Sequence, residues 1–450
     1  MACCSSQALT AKTSNIIHGN APYLTFDGGL TSETSSEGFL WITLSDGTKF
    51  TPATNNSSIK PIELPNSGQS FADIGMLVPT DSNSIALNSL ISAPNHYWGD
   101  DDGDGLGNNG ISLTGNLNLT ITDKDNQPVS RNEVLDICKA PYRVMLSTTE
   151  GKLSTQYGFP NSSVISATNQ TYYINPKGQQ PLICFIKLNL HFGSGKEIDW
   201  GGIFDSAGPP DIWNTKKGFI PQSSYEQNFP TTGANNLYFD LDIGGAGPLI
   251  WEEKIEHGGI TAEITPDANG SLVRITLKGP AATPEQHKSA SPDNIAKPIL
   301  PQMFELIGKD RNGNAVIKYG FNLKRWFVNR GEEYTKDPSV AKDWCGKIGY
   351  LMPQVKDLTN STCKGPYGTV QCQNIEGAQP LSSGNYFKRI IGAGFFSEWG
   401  FTKYYTAANF STYDYWLIEA SGKAFWVNSE NGYVSDNLPH SGYGVICVWR

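Results

Sequence analysis

Two cysteines set the tightest constraint on how this chain can fold: Cys345, in a short capped segment, and Cys447, in the apolar run that closes the sequence. Asp337-Pro338-Ser339-Val340-Ala341-Lys342-Asp343-Trp344-Cys345-Gly346 predicts a helix. Asp337 can accept from the orphan amides, Pro338 suits the first helical position, and Gly346 can end the run. Val340 and Trp344 share one face of such a helix, as do Ala341 and Cys345. A second helix start follows at Leu351-Met352-Pro353-Gln354-Val355-Lys356-Asp357-Leu358-Thr359, and Tyr443-Gly444-Val445-Ile446-Cys447-Val448-Trp449 predicts the closing strand. Cys363 and Cys372 lie between. Four cysteines allow three pairings, and the residues alone do not choose among them.

This order of elements is similar to that of a C-type lectin-like domain, in which the first helix is tied to the last strand and an inner pair staples a loop. Trp344-Cys345, then Leu351-Met352-Pro353 and Asp357-Leu358-Thr359, resemble the bacterial version at the tips of intimin/invasin-type adhesins. So does the lead-in Tyr319-Gly320-Phe321-Asn322-Leu323-Lys324-Arg325-Trp326-Phe327-Val328-Asn329-Arg330-Gly331. The resemblance is good over 301–450 and looser before it. It implies the pairs Cys345–Cys447 and Cys363–Cys372. The first would close a loop worth up to roughly 4.7 kcal/mol by chain entropy. It also implies a segment of an extracellular, cell-surface bacterial adhesin, presented by a membrane barrel and stalk beyond this sequence. Such a segment recognises a host-cell surface protein or glycan as a monomer, with no bond chemistry. A secreted effector exported through an intimin-like barrel and a carbohydrate-active protein are the rival readings.

Composition fits a β-rich chain. Forty-seven Gly and 27 Pro with 19 Tyr and 11 Trp favour short strands and many turns, and 17% charged residues is low for helices with solvated faces. The fold class expected is mostly β: one or two antiparallel β-sandwich (Ig-like) units, then an α+β C-type lectin-like domain. A net charge of −9 argues against nucleic acid as a partner and against docking on an anionic membrane. No run of 18 apolar residues is present to span a bilayer. Met1-Ala2-Cys3-Cys4-Ser5-Ser6 lacks the basic and apolar segments of a signal peptide, which leaves a cytosolic protein or an excised piece. The cysteines favour the second.

The expected organisation is a flexible segment 1–20, a β-sandwich unit 21–135, and a second β-rich unit 136–282, with a single domain over both as the alternative. A Pro-rich linker 283–300 and the lectin-like domain 301–450 follow. Leu113, Leu117, Leu119 and Ile121 fall on one strand face; Asp46-Gly47 and Asp267-Ala268-Asn269-Gly270 predict hairpin turns. Cys138 precedes one apolar strand and Cys184 lies inside another. An exported β-domain would bridge them, and two small buried thiols are the alternative.

Four constellations bear on chemistry. Asp100, Asp102 and Asp104 with Gly105 match the first half of a calcium loop, giving either a structural Ca²⁺ site or a solvated acidic turn. The twelfth position is Ile111, so the bidentate Glu of an EF-hand is missing. Gly105-Leu106-Gly107-Asn108-Asn109-Gly110 matches a dinucleotide glycine pattern but follows acidic residues and precedes a strand, the wrong context for a phosphate. Glu252, Glu253, Glu256 and His257 read as a solvated charged turn, since Gly258-Gly259 ends any helix on which a second zinc-binding histidine could stand. Aromatic residues crowd 395–416. Most should fill a core, but Trp399, Tyr404 and Tyr405 sit among Gly, Ser and Lys and are the expected ligand-binding residues.

Overall fold

Leu117, Leu119 and Ile121 alternate with polar residues, and they form the buried face of the strand Asn116–Thr122. The computed structural model describes residues 18–33, 35–101, 110–199, 202–362, 372, 375–410, 413–436 and 442–450. Residues 1–17, with Cys3 and Cys4, lie outside them, as do Asp102, Asp104 and Cys363. The chain is mostly β, with antiparallel pairing throughout most of its sheets, and divides into two compact units, 1–180 and 181–450. Among the described residues no helix is long and apolar enough to cross a membrane.

In the first unit Asn116–Thr122 pairs with Tyr142–Thr148 and Ser84–Ala86 in a five-stranded sheet completed by Asn169–Asn175 and Ile62–Glu63. A three-stranded sheet holds Ser112–Leu113, Gly151–Ser154 and Ser162–Ile165. Across the position of the expected 135/136 boundary Asn116–Thr122 and Tyr142–Thr148 are hydrogen-bonded neighbours, and Leu135 and Ile137 join the same core as Leu117 and Val144. The turn-rich stretch between them is an excursion, fastened where Arg131 donates to the carbonyls of Val78 and Pro79 at 3.1 and 2.7 Å.

The second unit is built on a seven-stranded antiparallel sheet. Its order is Trp213–Asn214, Gly218–Phe219, Leu182–Lys187, Tyr238–Gly244, Leu272–Lys278, Ile260–Pro266 and Lys254–His257. Beside it Arg325–Asn329 pairs in parallel with Thr232–Ala234 and antiparallel with Ile446–Trp449. One buried core runs from Ile183 to Val448. Residues 301–450 share this core and this unit with 181–282.

Segment 283–300 is a packed strap and not a linker. Proline removes N–H donors but leaves every carbonyl free to accept. Here the indoles of Trp344 and Trp449 donate to Gln286 and Pro298, at 3.1 and 2.9 Å, and the Tyr350 hydroxyl donates to Ala296 at 2.7 Å. The predicted hairpin turns form, with Gly47 and Gly270 at φ of 87° and 70°, a region open to glycine because it lacks a Cβ. The Glu252–His257 stretch is not a turn: Lys254–His257 is the exposed edge strand of the seven-stranded sheet.

Candidate functional site

The helix at Pro338–Lys347 forms as its sequence dictates, with Asp337 Oδ1 accepting from the Ser339 amide at 2.8 Å. Its buried stripe is Ala341, Trp344 and Cys345, whereas Val340 is exposed and does not share the buried face of Trp344. Cys345 is bonded to Cys447, 102 residues on, with the two Cα atoms 5.5 Å apart. Cys138, Cys184 and Cys372 are also disulfide-bonded. A charged clasp closes the same end. Fully buried Asp357 meets Arg450, whose Nε donates to Oδ1 at 3.1 Å, and Arg325 Nε stands 3.3 Å from the same oxygen.

The aromatic-rich segment is bolted to the strands that precede it by more than 150 residues. Glu398, in the short helix Phe395–Trp399, has no exposed surface. Its Oε1 accepts from the Thr231 amide, the Thr231 hydroxyl and the Gly392 amide at 3.0, 2.9 and 2.8 Å. Oε2 accepts from the Thr232 amide at 2.9 Å and from its hydroxyl. Burial pushes the Glu398 carboxyl above its ordinary pKa, against the pull of those donors. Arg389 is equally buried, stacks over Trp213 at 4.5 Å and donates to the Asn189 carbonyl at 3.1 Å. Its desolvation brings the guanidinium down to about 10.

These anchors decide which aromatics face water. Trp399 is fully buried, its indole donating to the Thr232 carbonyl at 2.9 Å and its own carbonyl accepting from Asn189 at 2.7 Å. Tyr405 is buried between Trp399 and Tyr238, with ring centroids at 5.7 and 5.2 Å. Both are core residues, so the expectation that they contact a ligand is corrected. Tyr404 is 54% exposed. It stands beside Tyr413, 44% exposed, with buried Phe401 between them at 5.1 and 5.0 Å. Lys403 Nζ lies 4.5 Å over the Tyr413 ring.

Residues far away in sequence complete this face. The His191 ring packs against Phe192, Phe401 and Tyr404 at 4.5, 5.3 and 5.2 Å, and its Nε2 is 2.7 Å from Glu430 Oε1. Next to Tyr413, the Asp414 carboxyl is pushed up to about 6, first by burial and then by the nearby negative charge of Glu430, while the Asn428 amide donates to Oδ1 at 2.9 Å and opposes the rise. The sequence pointed to Tyr404. It carried no local signal for His191 or Glu430, which meet 239 residues apart.

In the first unit, Asp100 is half-buried and Asp101 accepts a 2.5 Å hydrogen bond from Tyr23. Asp102 and Asp104, the rest of the expected calcium loop, lie outside the described residues.

No protein-family model and no curated protein sequence matches the chain. Among solved structures it is similar to invasin, a bacterial integrin-binding protein, at 15% identity and a TM-score of 0.33 over 76% of this chain. The chain spans about half, 51%, of that structure. It is similar to an intimin mutant from EHEC O157:H7 at 14% identity and a TM-score of 0.27, over 53% of this chain and 93% of that one. Intimin in an intimin–Tir90 complex gives 14% identity and a TM-score of 0.23, over 53% and 94%.

Proposed function

We propose that this chain is the receptor-binding part of an extracellular adhesin of the intimin/invasin type, displayed at the outer membrane of a Gram-negative bacterium. In this reading residues 301–450 form the lectin-like tip, which grips a host-cell surface protein through the face around Tyr404 and Tyr413. The observation that carries the reading is that pair of exposed tyrosines, held from below by Phe401 and His191. Tyrosine gives a large contact area at a low cost in side-chain entropy, and aromatic anchors dominate the energy of protein interfaces. The scaffold beneath is already ordered by the Cys345–Cys447 bond and the buried Glu398 carboxylate, so little freedom is lost on binding. Disulfides also suit an oxidising, extracellular setting. The mechanism is recognition without bond chemistry.

The test is binding of the purified chain to cultured epithelial cells, beside a glycan array with and without chelator. Saturable cell binding that is lost after the cells are treated with protease, and kept after glycosidase, is expected. Loss on glycosidase treatment alone, or capture by the array only, would move the ligand to the glycan class and sink the protein-receptor reading.

A further inference from the structure

Phe401 is not the only link between Tyr404 and Tyr413: a run of polar contacts joins them through three segments of the chain. The Tyr404 ring packs on His191, with centroids 5.2 Å apart, and His191 Nε2 stands 2.7 Å from Glu430 Oε1. The Glu430 amide donates to Asn428 Oδ1 at 2.9 Å, and the Asn431 amide donates to the same oxygen at 3.2 Å. Asn428 Nδ2 in turn donates to Asp414 Oδ1 at 2.9 Å, and Asp414 follows Tyr413 in the chain. Asp414 and Asn428 are cross-strand partners where Asp414–Ile418 pairs with Ala424–Asn428. The turn after Asn428 is also tied to Tyr413 directly, the Ser429 amide donating to its carbonyl at 2.6 Å.

An imidazole and two carboxylates therefore sit in the frame that holds both tyrosines. With His191 neutral and both acids ionised, Asp414 carries its charge half-buried and against the charge of Glu430. Those two effects, burial first, bring its carboxyl up to about 6, so mild acid protonates it. Imidazole is the side chain whose charge changes over the same span of pH. Acid thus takes His191, Glu430 and Asp414 from neutral, negative and negative to positive, negative and neutral. Glu430 loses a repulsion on one side and gains a charge-assisted bond on the other, roughly twice as strong as its neutral counterpart. Of the other titratable groups around the frame, Lys403 adds a positive charge 4.5 Å over the Tyr413 ring. Tyr443, pushed up to about 12 by burial and then by the Asp414 charge, stays protonated throughout.

A receptor laid over the tyrosines takes further water from Asp414, which again favours the neutral carboxyl. We infer that the tyrosine face is strengthened by acid: its grip on the receptor tightens as the medium passes from neutral to mildly acidic. The inference rests on the reading of that face as the receptor contact. The protonated frame exchanges a repulsion for an attraction, so it is held more firmly before binding and loses less freedom on binding. By linkage, binding is accompanied by proton uptake.

Cell-binding isotherms of the whole chain at pH 5.5, 6.5 and 7.5 test it, beside Asp414→Asn, Glu430→Gln and Tyr404→Ala. The parent should bind about three- to tenfold more tightly at pH 5.5 than at pH 7.5, the span that a shift of up to about one pKa unit on binding allows. Asp414→Asn is neutral at every pH and should bind at pH 7.5 nearly as the parent does at pH 5.5, with a flatter profile. Glu430→Gln removes both the repulsion and the charged partner of His191, so its profile should be flatter too. Near-UV circular dichroism at each pH confirms that the compared samples are folded, and Glu430→Gln decides alone if Asp414→Asn does not fold. A parent whose affinity fails to rise in acid, or variant profiles parallel to the parent's, overturns the inference and leaves the reading of the face standing if Tyr404→Ala still weakens binding. Tyr404→Ala that binds like the parent overturns that reading, and the inference with it.

Discussion

Glu398 and Thr232, 166 residues apart in sequence, are joined twice: one carboxylate oxygen of Glu398 accepts from both the amide and the hydroxyl of Thr232. With Thr231 and Gly392 on the other oxygen, this fully buried carboxylate satisfies donors from two distant segments. Glu398→Ala strands those donors in a dry core and should cost about 3–5 kcal/mol. Glu398→Gln, which turns an N–H toward N–H donors, should cost about 1–3 kcal/mol. Urea unfolding followed by tryptophan fluorescence measures both. An alanine variant as stable as the parent would remove Glu398 as the fastening of this unit.

The Cys345–Cys447 bond spans a sequence separation of 102. Closing a loop of that size removes unfolded-state entropy worth about 4.7 kcal/mol. The double variant Cys345→Ser with Cys447→Ser should therefore unfold at much lower urea, as should the parent after reduction. Peptide mapping under non-reducing conditions should recover the two cysteines in one linked fragment. Either sulfur linked elsewhere, or free, contradicts the fold of the carboxy end.

The capped helix and its cysteine were legible in the sequence because their signals are local: Asp337, Pro338 and the apolar spacing all lie within ten residues. The union of 181–282 with 301–450 was not, because it depends on pairings such as Thr232–Ala234 with Arg325–Asn329, which no local pattern encodes. The strap 283–300 read as a linker because few of its residues are apolar. What orders it is the donors of Trp344, Tyr350 and Trp449, which lie outside it. The aromatic face was half legible. Density of rings predicted a contact surface, but which rings are exposed depends on Asn189, Thr232 and Tyr238, more than 150 residues upstream.

Asp414 makes stability depend on pH. Its carboxyl titrates near 6 in the folded chain, against 3.8 when unperturbed. The folded state therefore keeps a proton that the unfolded chain has already released. The stability this contributes is complete below about pH 4 and is lost as pH rises through 6, up to roughly 3 kcal/mol. Asp414→Asn mimics the protonated form. It should stabilise the protein at pH 7.5 and flatten the difference between pH 4 and pH 7, relative to the parent under identical conditions. Urea midpoints at four or five pH values decide it; parallel profiles for the two proteins would assign the pH response to other groups.

Trp399 and Tyr404, five residues apart, should respond in opposite ways to the same truncation. Trp399 fills the core and donates to Thr232, so Trp399→Ala should cost about 3–5 kcal/mol and reduce cell binding only in proportion to the protein that unfolds. Tyr404 is more than half exposed, and Tyr404→Ala should change stability by less than about 1 kcal/mol. If the face it shares with Tyr413 is the contact surface, the folded variant should still bind cells some 10–30-fold more weakly, the loss typical of an interface anchor. Thermal melts and cell-binding isotherms on the same samples separate the two effects. A Tyr404→Ala protein that melts like the parent and binds like it would place the receptor elsewhere on the chain.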